Sequence, residues 1–139
     1  MLIEPVVVNY VDRLPKLEEF DGSTLTLYLG SSIGNFMPQE SRTILRNIGS
    51  QLRSEDTLVL GTDLVKDEST LIAAYDDNEG VTALHFRNGE TIHTENSYKF
   101  TNDTLGALLS DSGFDIDSIW KDGRDWYALT PSRRHEQDE

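Results

Sequence analysis

The sequence predicts an α/β fold with parallel strands and a closing antiparallel pair, on three observations. Residues 25–29 form an apolar run that leads into a turn of small and polar residues, Gly30-Ser31-Ser32-Ile33-Gly34-Asn35. The turn passes at Pro38 into a helical pattern, with Ile44, Leu45, Ile48 and Leu52 on one face and Arg42, Arg46 and Arg53 off it. A further apolar stretch at 57–60 ends in Gly61-Thr62-Asp63, read as a second turn at a strand's end. Strand, turn, helix, strand is the rhythm of parallel α/β architecture. Ligands of open α/β sheets bind at the carboxyl ends of the strands. Residues 30–35 are therefore expected to line a site.

The remaining elements follow in order. Val6-Val7-Val8 is β-branched and apolar and reads as a buried strand ending at Asn9-Tyr10. Residues 12–23 lack a period and read as loop. Pro38 suits the first position of the first helix, and Glu40 in its first turn favours the dipole. Asp67 is placed to cap a short helix over 68–75. Residues 81–87 and 90–98 flank Asn88-Gly89, a two-residue hairpin signal. Thr101 is a helix N-cap, Leu105, Leu108 and Leu109 make an apolar stripe, and Gly113 ends that helix. Phe114, Ile116 and Trp120 alternate along a strand. Asp122-Gly123 then turns the chain into a last antiparallel strand over 125–130, leaving 131–139 as a frayed, charged tail.

Composition narrows the function classes. The chain has 139 residues, enough for one domain, with 37% hydrophobic and 27% charged residues. A net charge of -13 repels phosphate backbones and argues against nucleic acid as a partner. The absence of cysteine excludes disulfides, thiolate metal sites and a thiol nucleophile. No apolar run has the length of a membrane span, and residues 1–5 lack the pattern of a signal peptide, so a cytoplasmic location is expected.

Three groups of residues admit a chemical reading beside a bland one. Gly30-Ser31-Ser32-Ile33-Gly34 meets the Gly-x-Ser-x-Gly spacing of a nucleophile elbow, with Asp63 and His85 or His93 as formal partners, but nothing else supports an oxyanion hole. His93, Glu95 and Ser97 share one face by strand alternation. That face is either solvated or the wall of a polar pocket, Glu95 accepting a hydrogen bond and Ser97 donating or accepting one. Tyr75 either packs at a helix end or offers its hydroxyl to a ligand. His85, His93 and His135 have no metal-ligand spacing.

Four segments in series carry a resemblance. They are Leu29-Gly30-Ser31-Ser32-Ile33-Gly34-Asn35-Phe36, Gly61-Thr62-Asp63-Leu64-Val65-Lys66-Asp67, Ala74-Tyr75-Asp76-Asp77-Asn78-Glu79-Gly80-Val81-Thr82-Ala83 and Gly89-Glu90-Thr91-Ile92-His93-Thr94-Glu95-Asn96-Ser97-Tyr98-Lys99-Phe100. Together they resemble the histidine-specific, S-adenosylmethionine-dependent methyltransferases, of which the best-known members trimethylate the α-amino group of histidine on the way to ergothioneine. The resemblance implies the carboxyl-terminal half of a Rossmann-like class I methyltransferase sheet with a remnant of the substrate domain at 81–100. It implies S-adenosylmethionine as cofactor and a histidine-like amino acid as substrate.

It also implies roles for particular residues. Asn35 and Tyr75 match residues that hold the carboxylate end of the amino acid, and Thr82 one near its amino group. Glu95 and Ser97 match the pair that recognises the imidazole ring. Gly30 matches a glycine whose backbone lies against the cofactor. Asn9-Tyr10 stands where the family has an acid-aromatic pair on the adenine, with asparagine replacing the acid; its carbonyl retains the accepting role. No residue is implied as a covalent catalyst.

Two pieces of the family pattern are not matched. One precedes Val6 and supplies the central strands, the glycine-rich cofactor loop and the acid that binds the ribose. The other is a stretch of several dozen residues between Ala83 and Phe86. The chain thus reads as a single partial domain in which 25–29 presents an exposed apolar edge, open to self-association or to a partner chain. The isolated chain is expected to bind cofactor poorly. The alternatives to an active methyltransferase are one half of a split enzyme, or an inactive fragment or interaction module of the family.

Overall fold

The computed structural model describes residues 5–9, 11–12, 14, 21–75, 93 and 96–135. Strand β1 (Leu25–Tyr28) leads through a 3-10 turn (Ser32–Asn35) into helix α1 (Pro38–Gly49). Strand β2 (Thr57–Asp63) and helix α2 (Glu68–Tyr75) follow, then helix α3 (Asn102–Asp111). Strands β3 (Phe114–Ile116), β4 (Trp120–Lys121) and β5 (Tyr127–Arg134) complete the sheet.

The helices start where their local chemistry says they should. Pro38 opens α1, and the Glu40 carboxylate reaches back to accept from the Met37 backbone N–H at 2.8 Å. Asp67 caps α2, accepting from the Thr70 N–H at 3.0 Å. Hydrogen bonds from the Ser69 and Thr70 hydroxyls, and from the Thr70 N–H, lower its pKa to about 2. Thr101 caps α3 reciprocally with Thr104: each hydroxyl accepts from the other residue's N–H, at 3.1 and 2.8 Å. None of the described helices is long and apolar enough to cross a membrane.

The sheet order is β1-β2-β5-β3, with β4 also paired to β5. β1 runs parallel to β2, and the other pairings are antiparallel. One face packs on the helices. Leu58, Leu60 and Ala128 meet Ile44, Leu45 and Ile48 of α1 and Leu105 and Leu109 of α3 in a single buried cluster. Each fully buried aliphatic side chain contributes about 1.5–3 kcal/mol. The opposite face is open along β1: Leu25, Leu27 and Leu29 are 60%, 57% and 47% exposed. Among the described residues β1 has a partner on one side only.

Four expectations need correction. Val6-Val7-Val8 is not a buried strand; these residues are 56%, 102% and 40% exposed and pair with nothing in the sheet. A β-branched triplet is apolar enough for a strand, but it becomes one only beside a partner. Gly61-Thr62-Asp63 is not a turn but the end of β2, held in the ladder by Leu129, Ala128 and Tyr127 of β5. Phe114, Ile116 and Trp120 do not share one strand, and the tail expected to fray at Pro131 is strand as far as Arg134. Both differences trace to Pro131. Its carbonyl accepts from Asp117 N at 3.0 Å on the side facing β3 and β4. A proline has no N–H to offer on that same side, and the edge strand breaks there. The β2 side of the ladder is untouched, so β5 runs on through buried Ser132.

The hairpin expected around Asn88-Gly89 lies outside the described residues. The turn at Asp122 is formed as expected. Its carboxylate accepts from the Trp126 and Tyr127 N–H groups at 2.6 and 3.0 Å, and these bonds, led by that from Tyr127, lower its pKa.

Candidate functional site

The site is built on the turn after β1, at the carboxyl ends of β1 and β2. Gly30 and Ser31 are both left-handed, with φ of 77° and 57°. For serine that conformation costs roughly 1–2 kcal/mol, and other contacts must hold it. Two do. The Ser31 hydroxyl accepts from the Asp63 N–H at 2.8 Å, which ties the turn to the end of β2. The Tyr127 hydroxyl accepts from the Gly30 N–H at 3.1 Å, reaching from β5 across β2. The phenol passes over Gly61, where a Cβ would lie 2.2 Å from its oxygen. Buried Ile33 anchors the turn in the core beneath.

A second segment, residues 96–100, is laid onto this turn. The Tyr98 N–H donates to the Gly34 carbonyl at 2.8 Å. The approach is so close that a Cβ on Gly34 would stand 2.5 Å from the Tyr98 carbonyl oxygen. Phe100 buries its ring and pairs with the strand end, donating to the Asp63 carbonyl and accepting from the Val65 N–H, both at 3.0 Å. Lys99 turns its ammonium to the Asp63 carboxylate at 2.9 Å and to the Ser97 hydroxyl at 2.8 Å. Lys66 stands 3.5 Å from the same carboxylate. Two ammonium groups thus share one carboxylate at this end of the sheet. Beside it, Phe36, Pro38, Tyr98, Phe100 and Leu108 line a cavity of about 290 Å³, with Arg42 and Lys99 at its polar margin.

Of the residues singled out from sequence, the structure brings three together. Gly30 and Asn35 lie on the turn, and Ser97 sits one residue from the Tyr98–Gly34 bond that joins the two segments. Asn35 and Ser97 are both exposed. Asn9 is placed otherwise. Its amide bonds within its own turn, to the Asp12 carboxylate at 2.7 Å and from the Val11 N–H at 3.2 Å. That turn is tied to α1, through Asn47 on the Val11 carbonyl. Tyr75 closes α2, but its side chain, like Tyr10, Thr82 and Glu95, lies outside the described residues. The nucleophile-elbow reading loses its basis: the Ser31 hydroxyl is committed to the Asp63 backbone, and the Asp63 carboxylate to two lysines.

Sequence reasoning missed Lys99 and Tyr127. Alternation along residues 93–97 extends to position 99 and would have found the first. Nothing local marks the second, which acts on a glycine 97 residues away. Replacing Tyr127 by Phe is expected to leave the Gly30 N–H without its partner, costing about 0.5–1.5 kcal/mol. Faster amide exchange at Gly30, with little change at Leu60, would verify it.

The fold is that of small-molecule methyltransferases. The mitomycin 7-O-methyltransferase MmcR superposes on 91% of the chain with a TM-score of 0.62 at 16% identity, the chain covering 32% of that protein. OxaC, solved with sinefungin and meleagrin, superposes on 95% with a TM-score of 0.64 at 15% identity, covering 30% of its length. The family model described as "Histidine-specific methyltransferase, SAM-dependent" matches residues 1–88 and 83–134, and the chain belongs to that family. The two matches meet at 83–88, where the internal segment was expected to be missing. The histidine N-alpha-methyltransferase of Mycolicibacterium smegmatis is 42% identical over 86 residues, which are 62% of this chain and 26% of that protein. The Mycobacterium tuberculosis enzyme of the same name is 48% identical over 86 residues, with the same shares. The chain thus spans about a quarter of the length of the curated relatives it matches.

Proposed function

We propose that this chain forms the amino-acid side of a histidine Nα-methyltransferase, in a cytoplasmic setting, and acts with a further portion of the family fold that holds most of the cofactor. The observation that carries the reading is the 2.8 Å bond from Tyr98 N–H to the Gly34 carbonyl. It sets Asn35, assigned to the substrate carboxylate, against the segment of Ser97, assigned to the imidazole ring. The carboxylate marks the substrate as an amino acid, and the ring marks it as histidine.

S-adenosylmethionine supplies a methyl group from its sulfonium to the α-amino nitrogen, which loses a proton. Such a transfer needs an aligned, deprotonated amine and no nucleophilic side chain. The residues of this chain supply position: Asn35 by its amide, and Ser97 with Glu95 at the ring. The Gly30 turn suits a cofactor lying against its backbone, since a Cβ there would meet nothing within 4 Å. Among the described residues the outer side of β1 adjoins no other strand, and there, beside the exposed Leu25 and Leu27, the further portion adds as a strand parallel to the sheet. Without it, the same edge is open to a second copy of the chain.

Isothermal titration of the chain alone with S-adenosylmethionine is expected to show binding weaker than micromolar. Co-expression with the amino-terminal portion of the Mycolicibacterium smegmatis relative is expected to yield a complex that transfers labelled methyl to histidine. Micromolar binding by the chain alone would refute the shared cofactor site. An assembled complex that leaves histidine unmethylated would refute the activity.

A further inference from the structure

We infer that the chain carries a second binding site, for a phosphoryl group, at the end of the sheet away from the candidate site. There the ends of α1, α3 and β5 border an open cavity of about 470 Å³, with Arg46, Arg134 and His135 on its walls. The length of α1 sets it roughly 16 Å from Pro38. The two guanidinium groups are held but not neutralised. Arg46 Nη2 donates to the Asp111 carbonyl at 2.8 Å, and Arg134 Nη1 to the Leu52 carbonyl at 3.3 Å. Among the described residues neither arginine has a carboxylate partner. A guanidinium has five N–H donors, so each keeps several for a ligand. The backbone N–H groups around them are already used. Those of Ser50, Gln51 and Leu52 close the end of α1, those of Ser112 and Gly113 close the end of α3, and that of His135 meets the Gly113 carbonyl. What the cavity leaves unpaired is charged donors, and the group that meets them is an anion.

The neighbouring charges do not cancel this surplus. Asp111 is met by Arg42 at 3.1 Å and Asp117 by Arg133 at 2.9 Å, so each of these pairs is neutral. Arg53, shared by Asp56 and Glu55, does not border the cavity. Asp115 stands 3.2 Å from His135 and is neutralised when that ring is protonated. The negative ends of α1 and α3, about half a charge each, then offset one guanidinium and leave the other. A phosphoryl group suits the two arginines better than a carboxylate does. They come from a helix and a strand, and a tetrahedral anion turns different oxygen pairs to two forks, where a planar carboxylate fills one. The cavity has the volume of a small-ligand pocket rather than of a lone anion, which favours a phosphoryl group carried by a small ester.

The test is an NMR titration of the ¹⁵N-labelled chain at pH 6 with glycerol 3-phosphate, with inorganic phosphate, and with sodium chloride at matched ionic strength. Both phosphates are expected to move the amides of residues 46–52, 112–113 and 134–135 saturably, and chloride is not. L-histidine is expected to shift residues 30–36 and 96–100 and to leave these amides in place. Tighter binding of the ester assigns the site to a carried phosphoryl group, and equal binding assigns it to the free ion. Arg46→Gln, an exposed change between two good helix formers, is expected to weaken binding about tenfold or more through loss of one charge-assisted contact. Arg134→Gln is expected to do the same and serves should the first variant not fold. Absence of saturable shifts with either phosphate, or full affinity in the glutamine variants, would overturn the site. Glu136, Asp138 and Glu139 follow His135 in the chain. Binding seen only in a chain ended at His135 would show that these carboxylates compete for the arginines, and would overturn a site for an external ligand.

Discussion

Replacing Gly34 by Ala is expected to separate the two halves of the proposed substrate site. The added methyl would lie 2.5 Å from the Tyr98 carbonyl oxygen, a backbone atom that cannot rotate aside. Either the 3-10 turn or residues 96–100 must move. The turn is pinned by buried Ile33 and by the Ser31–Asp63 bond, and the segment by Phe100 on the end of β2. Overpacking of this kind costs about 1–3 kcal/mol. Urea unfolding reads that loss. The functional consequence is larger than the stability loss, because Asn35 and Ser97 depend on the strained contact for their spacing. Histidine-induced shifts are expected to vanish in a variant that remains folded. Unchanged stability together with an undisturbed Tyr98 amide would show that the latch is not there.

Asp56→Ala is expected to loosen the opposite end of the sheet. The Asp56 carboxylate is buried, at 1% exposure, just before β2. It accepts from the Thr24 N–H at 2.7 Å and the Arg53 N–H at 2.8 Å, and the Arg53 guanidinium stands 3.4 Å away. Truncation leaves two backbone donors unpaired where β1 begins and takes one of three partners from the Arg53 guanidinium, which keeps the Glu55 carboxylate and the Gly22 carbonyl, a loss of about 3 kcal/mol. Asp56→Asn keeps an acceptor and loses the charge, so a smaller cost is expected. Acid dependence separates the two effects. Burial pushes the Asp56 carboxyl up, but the bonds from Arg53 and Thr24 outweigh it and hold the pKa below 3.8. The folded state therefore binds this proton less readily than the unfolded chain. The stabilisation is complete above the unfolded value and is lost as pH falls through the folded one. Urea unfolding at pH 7 and pH 3 is expected to show a steeper acid loss in the unaltered chain than in Asp56→Asn. Equal losses would remove Asp56 from the acid response.

The helices were legible in the sequence because what begins and orients them is local. Pro38 with Glu40, Asp67 with Thr70, and Thr101 with Thr104 each act within one turn, and the apolar stripes of α1 and α3 show which face is buried. Strand ends were not legible in this way. Val6-Val7-Val8 has the composition of a strand without a partner, whereas Gly61-Thr62-Asp63 has the composition of a turn and is strand because β5 lies beside it. Pro131 looked like a terminus and proves to be a one-sided interruption.

The same division holds for the site. Side-chain order along the chain was enough to name the family and to single out Gly30, Asn35 and Ser97, which lie on two segments joined by the Tyr98–Gly34 bond. Sequence by itself thus determined the helices, the parallel β1-α1-β2 unit and the family to which its turn belongs. Only the tertiary structure decided how that turn is held and which atoms each hydroxyl serves. Ser31 went to the Asp63 backbone, Tyr127 to Gly30 and Lys99 to Ser97. The physical reason is range. Caps and periodicity are satisfied by neighbours three or four residues away. A hydroxyl takes whatever partner the sheet brings to it, however distant in sequence.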